Sequence, residues 1–480
     1  MIIAAWPGTG KSFLGNRYKN ILDAETTCFQ YIVDEKMNRI EFEKQKKTNR
    51  KINNKWPNNY IDYLSKNYNK YDLILIPLIP DILNYLENNN INFLIVAPKS
   101  HLKHEYKQRY SDRGNNKRYI DNILNEWNNG QKLIKKYKEN KIYLDKNEYL
   151  IDAINRLNIN LVLKKEKISV KFPGRLEGSS LYPSYTIQKG CLGGGYGFAI
   201  SMNNYLTIET GVLNDILEIK NKDAKKLVEY YLPIFKEKFY VSDKLKITLN
   251  LDKNFLNHHG ISFNINIICA LVYCFRNLYM PNIPNEKLIK YLYTINAEVE
   301  NNSIVKGEIF TGIGHNCAFN GGICFVSKYG KLMFSYKISN DYKVILVHTN
   351  YKRKNISTSQ MSKVCKNYNL ITDNDQKELV FLMKDKLKKN DMSVIKQKNF
   401  FIQYNSMLRA YIESYENYEK LIELLNLFDK SENNIVGITY SCPNIYIITN
   451  KLEKNINKIK ELNMPYSIFE LCNEGIKIIN

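Results

Sequence analysis

The stretch Met1-Ile2-Ile3-Ala4-Ala5-Trp6-Pro7-Gly8-Thr9-Gly10-Lys11-Ser12 is an apolar run that passes directly into a glycine-bearing turn. From Ala5 to Ser12 the spacing is that of the G-x-x-x-x-G-K-[ST] phosphate-binding loop, with alanine in the first position, and a helix-like segment follows. Gly8 and Gly10, on either side of Thr9, free the backbone to turn N–H groups inward around phosphate. In such a loop the Lys11 ammonium reaches the terminal phosphates and the Ser12 hydroxyl suits Mg²⁺. The expectation is a nucleotide-binding α/β domain with ATP and Mg²⁺ as its cofactors.

Working outward, two more apolar runs, Asp72 to Leu78 and Asn92 to Pro98, have the length of buried parallel strands. Strands alternating with helical stretches imply a doubly wound parallel sheet with ligand at the strand ends. Next comes a cationic run from His101 to Gly114 carrying Lys103, Lys107, Arg109 and Arg113. As a helix ended by Gly114 it would form a lid, with Arg109 and Arg113 neutralising a transferring phosphoryl group; a solvated helix face is the other reading. Asp23, near the second strand, or Asp72 is the candidate carboxylate for Mg²⁺ through water. Residues 1–158 with these features resemble small P-loop nucleotide kinases of the adenylate kinase type, on Gly8-Thr9-Gly10-Lys11-Ser12, Asp23 and the Tyr106 to Gly114 run. That resemblance implies phosphotransfer, with Lys11, Arg109 and Arg113 as its catalytic residues.

A chain of 480 residues needs more than one such domain. Apolar residues make up 44%, enough for extended cores, and no run of about eighteen apolar residues suggests a membrane span. The net charge is +22, with 26 basic and 17 acidic residues in positions 1–150 (+9) and the remaining +13 beyond. The excess is spread along the chain, with no basic arm or RNA-binding signature. Heavy use of Asn, Lys, Ile and Tyr is what an AT-rich coding sequence produces, as in a large DNA virus or a parasite. Nine cysteines show no C-x-x-C pairing and read as reduced, buried small hydrophobes. The expectation is a cytoplasmic protein (host cytoplasm if viral) acting on nucleotides and phosphorylated small molecules, with no membrane or nucleic-acid partner and a homodimer left open.

Beyond a boundary near residue 160 lie glycine-bearing patches far apart in sequence: Pro173-Gly174-Arg175-Leu176-Glu177; Gly194-Gly195-Tyr196-Gly197-Phe198-Ala199-Ile200; His258-His259-Gly260-Ile261-Ser262; and Thr311-Gly312-Ile313-Gly314-His315-Asn316 with Gly321-Gly322. Clustered glycine lets backbone approach a ligand closely, and several such places suggest one shared cleft. Their order, with Gly437 to Tyr446 near the end, resembles the GHMP kinase superfamily and, within it, the β-ribofuranosylaminobenzene 5′-phosphate synthase-like branch. For residues 166–480 this implies an α+β GHMP-type fold, phosphate binding by Gly194, Gly195, Gly260, Gly312 and Gly314, and a phosphoribosyl-transferring activity. Arg175 stands where the superfamily has a lysine; always protonated, it clamps phosphate and cannot be a base. His315 is the general acid/base candidate by residue type.

The second glycine motif departs from the family: Phe263 replaces a serine, and Ser262 and Asn264 replace glycines. A bulky ring there would remove a hydroxyl and close the pocket, leaving Gly8 to Ser12 as the well-formed triphosphate site. The whole chain therefore reads as a P-loop phosphotransferase joined to a phosphoribosyl-transferring domain. A GHMP-type metabolite kinase in the second domain is one alternative, and a non-catalytic ligand sensor or scaffold with a P-loop switch is another. Residues 376–430 read as helical, with a Leu-rich stripe facing a core.

Overall fold

In a computed structural model the chain forms two compact units, Met1–Lys165 and Glu166–Asn480. The structure describes residues 1–32, 51–113, 115–137, 141–164, 166–180, 195–239, 241, 243–255, 261–281, 283–299, 312–327, 330–351, 382–389, 395–396, 417–429, 434–439 and 443–479.

The first unit is built on five strands: β1 (Ile2–Ala5), β2 (Ile21–Asp23), β3 (Leu73–Pro77), β4 (Phe93–Pro98) and β5 (Lys141–Leu144). They pair in the order β2-β3-β1-β4-β5, every neighbour parallel. Parallel strands need crossovers, so helices cover both faces and each strand is apolar on both sides. That is why β1 reads as an unbroken apolar run. Ile2 and Ala4 join a core with Ile74, Ile76, Tyr60, Tyr106 and Trp127, whereas Ile3 and Ala5 join another with Leu75, Val96, Leu14 and Ile154. The chains leaving the adjacent strands β1 and β4 diverge to opposite edges of the sheet, which opens a crevice above their C-terminal ends.

The first unit runs on to Lys165 because residues 160–164 are strapped to it. Val162 N–H donates to Asn20 Oδ1 at 3.0 Å, Lys19 N–H to the Val162 carbonyl at 2.8 Å, and Lys164 N–H to the Arg17 carbonyl at 2.9 Å.

The second unit holds two sheets. In the larger, β6 (Lys167–Ser180) runs antiparallel to the long β7 (Gly195–Thr210), with register shifts at Phe172/Gly174 and Glu177/Ser179. β7 is shared along its length: its first residues pair with β10 (Ile323–Val326) and its last with β9 (Leu245–Asn250). β8 (Ile216–Ile219) pairs with β9, β11 (Leu332–Tyr336) with β10, and β16 (Lys477–Ile479) with β6. Helices Phe263–Tyr279 and Ile313–Asn320 pack on β6 and β7.

The smaller sheet is antiparallel, β13 (Asn434–Ile438), β14 (Ile445–Thr449), β12 (Lys343–Val347) and β15 (Tyr466–Glu470) in that order. Helix Tyr418–Asp429 buries Leu421, Leu425 and Phe428 in the same core as Ile345, Val436 and Ile447. The expected helical stretch 376–430 is described only in part, and its Leu stripe does face a core. Cys269, Cys274, Cys317 and Cys324 are buried as expected, but Cys28 is exposed because it lies on the short surface helix Thr27–Gln30.

The segment 472–476 is clamped to helix Ile313–Asn320: Gly322 N–H donates to the Cys472 carbonyl at 2.6 Å, and Ile476 N–H to the Ala318 carbonyl at 2.7 Å. The backbones are so close that a Cβ at Gly475 would lie 2.2 Å from the Phe319 carbonyl oxygen. Gly475→Ala should therefore cost about 1–3 kcal/mol, as overpacking does. Chemical denaturation should show it, with Gly211→Ala, whose added methyl meets nothing within 4 Å, reporting the cost of a positive φ of 79° alone.

Candidate functional site

In the first unit the turn after β1 forms a cup. Gly8 and Gly10 take positive φ values of 84° and 108°, which L side chains rarely adopt, and helix Lys11–Arg17 starts directly behind Gly10. The cup is held from within: Thr9 Oγ1 donates to the Trp6 carbonyl at 2.8 Å, and Lys11 Nζ to the carbonyls of Ala5 at 2.8 Å and Trp6 at 3.4 Å. It is also held from outside. Tyr110 accepts from Trp6 Nε1 at 3.2 Å, donates to the Pro7 carbonyl at 2.9 Å, and lies so close over Gly8 that an added Cβ would come within 2.7 Å of its ring.

The Lys11 ammonium lies within the fields of three other charged groups. Desolvation lowers the Lys11 ammonium from its usual value to about 8, while the nearby carboxylates of Asp23 and Glu25 oppose the shift and Arg113 adds to it. Asp23 ends β2, and Glu25 follows two residues later, accepting from Thr27 Oγ1 at 3.0 Å. Ser12 is exposed on the first turn of its helix. Arg113, also exposed, caps helix Lys103–Asp112, whose end the sequence placed at Gly114, outside the described residues. Tyr119 on the next helix, Lys117–Asn125, feels both Arg113 and Glu25, so it faces the same crevice.

The two expected lid arginines separate. Arg109 is buried, paired with Glu105 at 2.5 Å, donating to the Glu148 carbonyl at 2.9 Å and stacked 4.0 Å from the Tyr149 ring centroid. Its charge is committed to pinning the helix to the loop 145–149. Arg113 is the arginine whose field reaches Lys11. Glu25, Tyr110 and Tyr119 are site residues that sequence reading missed; Glu25 had a signal, its position two places beyond Asp23 at a strand end.

The second unit brings three of its glycine-bearing patches together. Arg175 on β6 donates from its backbone N–H to the Ile261 carbonyl at 3.2 Å and from Nε to Ser262 Oγ at 2.6 Å. Ser262, at φ 58°, caps the start of helix Phe263–Tyr279. His315, in the first turn of helix Ile313–Asn320, lies within the field of Arg175 and edge-on to Tyr293 at 5.0 Å. Gly312, at φ 79°, starts that helix, and Asn316 Nδ2 ties it down by donating to the Gly312 carbonyl at 2.8 Å. Gly314 lets the helix press on Ile265, which an added Cβ would meet at 2.9 Å. Gly195 opens β7 opposite Val326. Gly194, Gly260, His258 and His259 lie outside the described residues.

Two expectations change here. Phe263 does not plug the site: its ring is buried and stacks on Phe255 at 5.1 Å, an apolar side chain taking the apolar side of its helix, so Ser262 supplies the hydroxyl. His315 is not poised to exchange protons near neutrality. Desolvation, with Arg175 adding to it, depresses its imidazolium to about 3, so the ring is neutral at neutral pH.

Among the described residues no three His, Cys, Asp or Glu side chains form a metal cluster, and no helix is long and apolar enough to cross a membrane. The hard oxygens of Ser12, Asp23 and Glu25 fit a Mg²⁺ ion that arrives with phosphates, since that ion keeps waters and takes few protein ligands.

The His315 environment makes a pH prediction. Its folded pKa lies below the unfolded value, so between pH 6.5 and about 3 the unfolded chain binds more protons and stability falls on acidification. Denaturation curves across that window should lose about 1.4 kcal/mol per pH unit from this group, and His315→Gln should remove that part of the slope.

No family model matches the chain, and no curated protein matches it. Several solved structures are similar to about two thirds of it. They include homoserine kinase from Cytophaga hutchinsonii (16% identity, 67% of this chain, 100% of that one, TM-score 0.47). Mevalonate diphosphate decarboxylase from Staphylococcus aureus is another (11%, 66% and 98%, TM-score 0.45), as is mevalonate-3-kinase from Thermoplasma acidophilum (14%, 66% and 99%, TM-score 0.44). At such identities and TM-scores no residue role passes to this chain, and the case for its function rests on its own residues.

Proposed function

We propose that this chain is an ATP-dependent phosphotransferase acting on a small molecule, with its nucleotide held at Gly8 to Ser12. The observation that supports this is the cup itself, Gly8 and Gly10 at positive φ with Lys11 Nζ held at its carbonyls, within the fields of Asp23, Glu25 and Arg113. Inward N–H groups and Lys11 would hold the β- and γ-phosphates of ATP, with Mg²⁺ at Ser12 and Asp23 supplying further charge neutralisation. An acceptor hydroxyl attacks the γ-phosphorus, the bond from that phosphorus to the β-bridging oxygen breaks, and ADP leaves. Glu25 takes the hydroxyl proton. Arg113 is exposed and can meet the equatorial oxygens as charge builds on them.

In the same proposal the second unit binds a phosphorylated small molecule, with the Arg175 guanidinium and the helix start at Ser262 as its anion site. Arg175 lacks a removable proton and His315 is neutral, so this site suits phosphate clamping, as in transfer from a phosphoribosyl donor, better than base catalysis. A GHMP-type metabolite kinase is the second reading. It is favoured by the Ser262 hydroxyl, which keeps a polar group at the helix start despite Phe263.

Lys11→Ala should lower ATP turnover roughly 100-fold or more, the usual cost of one preorganised donor. Unchanged ATP binding in calorimetry and unchanged turnover would sink the proposal. Only protonated Lys11 attracts phosphate, so ATP affinity should be full below pH 8 and fall about tenfold per unit above it. Calorimetry at pH 8.5 in buffers of different ionisation enthalpy should register proton uptake. Arg113→Ala should lower kcat about 100-fold with thermal stability intact, whereas Arg109→Ala should lower the melting temperature by breaking its buried pair.

A further inference from the structure

A cleft of about 360 Å³ opens in the second unit, between β6, the connection after β11 and the segment before β16. Its size lies within the usual range for small-ligand pockets. Three lysines from three distant parts of the chain, Lys171, Lys337 and Lys477, line it against one acidic residue, Glu474.

The charges face one another across the cleft. The Glu474 carboxyl is held below its usual value by its 2.7 Å bond from Lys477 and further by Lys337. The Cys472 thiol is raised by burial, and the ammoniums of Lys477 and Lys171 pull it the other way. Glu474 therefore neutralises one ammonium and leaves an excess of two on the lining. Phe172, Met202 and Leu471, all buried, supply an apolar floor.

One wall is rigid. The segment 472–476 is clamped by the Cys472, Ala318 and Gly475 backbone contacts already described, and Asn473 adds a two-way bond to residue 338. Its Oδ1 accepts from Ile338 N–H at 2.9 Å and its Nδ2 donates to the Ile338 carbonyl at 2.6 Å. Binding there would cost little ordering of the backbone.

We propose that this cleft is a binding site for a small organic phosphate, the phosphate between Lys171 and Lys337 and the organic part on the Phe172, Met202 and Leu471 floor. Lysines act as point charges on phosphate, and two unneutralised ammoniums match its double charge.

The test uses the full chain carrying Lys11→Ala and Arg175→Ala, which removes both phosphate sites proposed above. A failure here is thus distinguishable from a failure of those readings. Calorimetry with phenyl phosphate, inorganic phosphate and phenol should rank them in that order. Adding Lys171→Ala and Lys337→Ala should weaken phenyl phosphate about tenfold or more, as expected for the loss of charge-assisted bonds, with the melting temperature unchanged. Because Lys337 is exposed, Lys337→Glu alone serves as a second probe and should give the larger loss for a single change. Equal binding with and without the two lysines, or no phenyl phosphate binding in the Lys11→Ala, Arg175→Ala protein, would overturn the proposal.

Discussion

The first unit is organised around an ammonium kept short of water. Lys11 sits in a turn whose carbonyls accept hydrogen bonds from its ammonium, and burial there draws its pKa down to about 8. An amine in that condition is held on a narrow balance: two carboxylates favour its charge, and desolvation and Arg113 oppose it. A phosphate entering the cup would join the favourable side. Much of the surrounding structure keeps the turn in shape. Trp6 lies edge-on to Trp127 at 5.0 Å, Tyr106 to Trp127 at 5.5 Å, and Tyr110 bridges Trp6 to the Pro7 carbonyl. Aromatic packing thus couples helix Lys103–Asp112, with Arg113 at its end, to the loop it faces.

The second unit uses a different device for a similar end. Arg175 is fixed to a loop by its own backbone and by Ser262, next to a histidine held neutral. Close backbone approach at Gly312 and Gly314 makes the geometry possible, because a methyl group at either place would collide. Charge there is permanent, where in the first unit it is adjustable.

How much of this was legible in the sequence depended on whether the signal was local. The strand, turn and helix of residues 2–17 could be read because apolar run, glycine spacing and lysine are contiguous. The doubly wound arrangement was legible from runs such as Leu73–Pro77 and Phe93–Pro98, apolar on both faces. The split between Arg109 and Arg113 was not, since it depends on Glu105, Glu148 and Tyr149, and a charge run does not reveal which member finds a buried partner. Phe263 was misjudged for the same reason: its partner Phe255 precedes it by eight residues, and no local pattern in the sequence joins the two. The meeting of Arg175, Ser262 and His315 was anticipated as a shared cleft, but not the hydrogen bond joining the first two or the neutral state of the third.

The strand β16 pairs with β6, about three hundred residues earlier, and the segment before it closes over helix Ile313–Asn320. A growing polypeptide cannot make that closure until residue 479 has been synthesised. The strands of the first unit's sheet are all in the chain by residue 144, and the strap to Arg17 and Lys19 by residue 164. During translation, then, one unit can be finished while the other waits with an open sheet edge along β6. Contacts of such long sequence separation fold slowly, and an open edge invites pairing with other chains. The burden on the cell's folding machinery falls on the second unit, and a ribosome that stalls late would release a protein whose first unit is already complete.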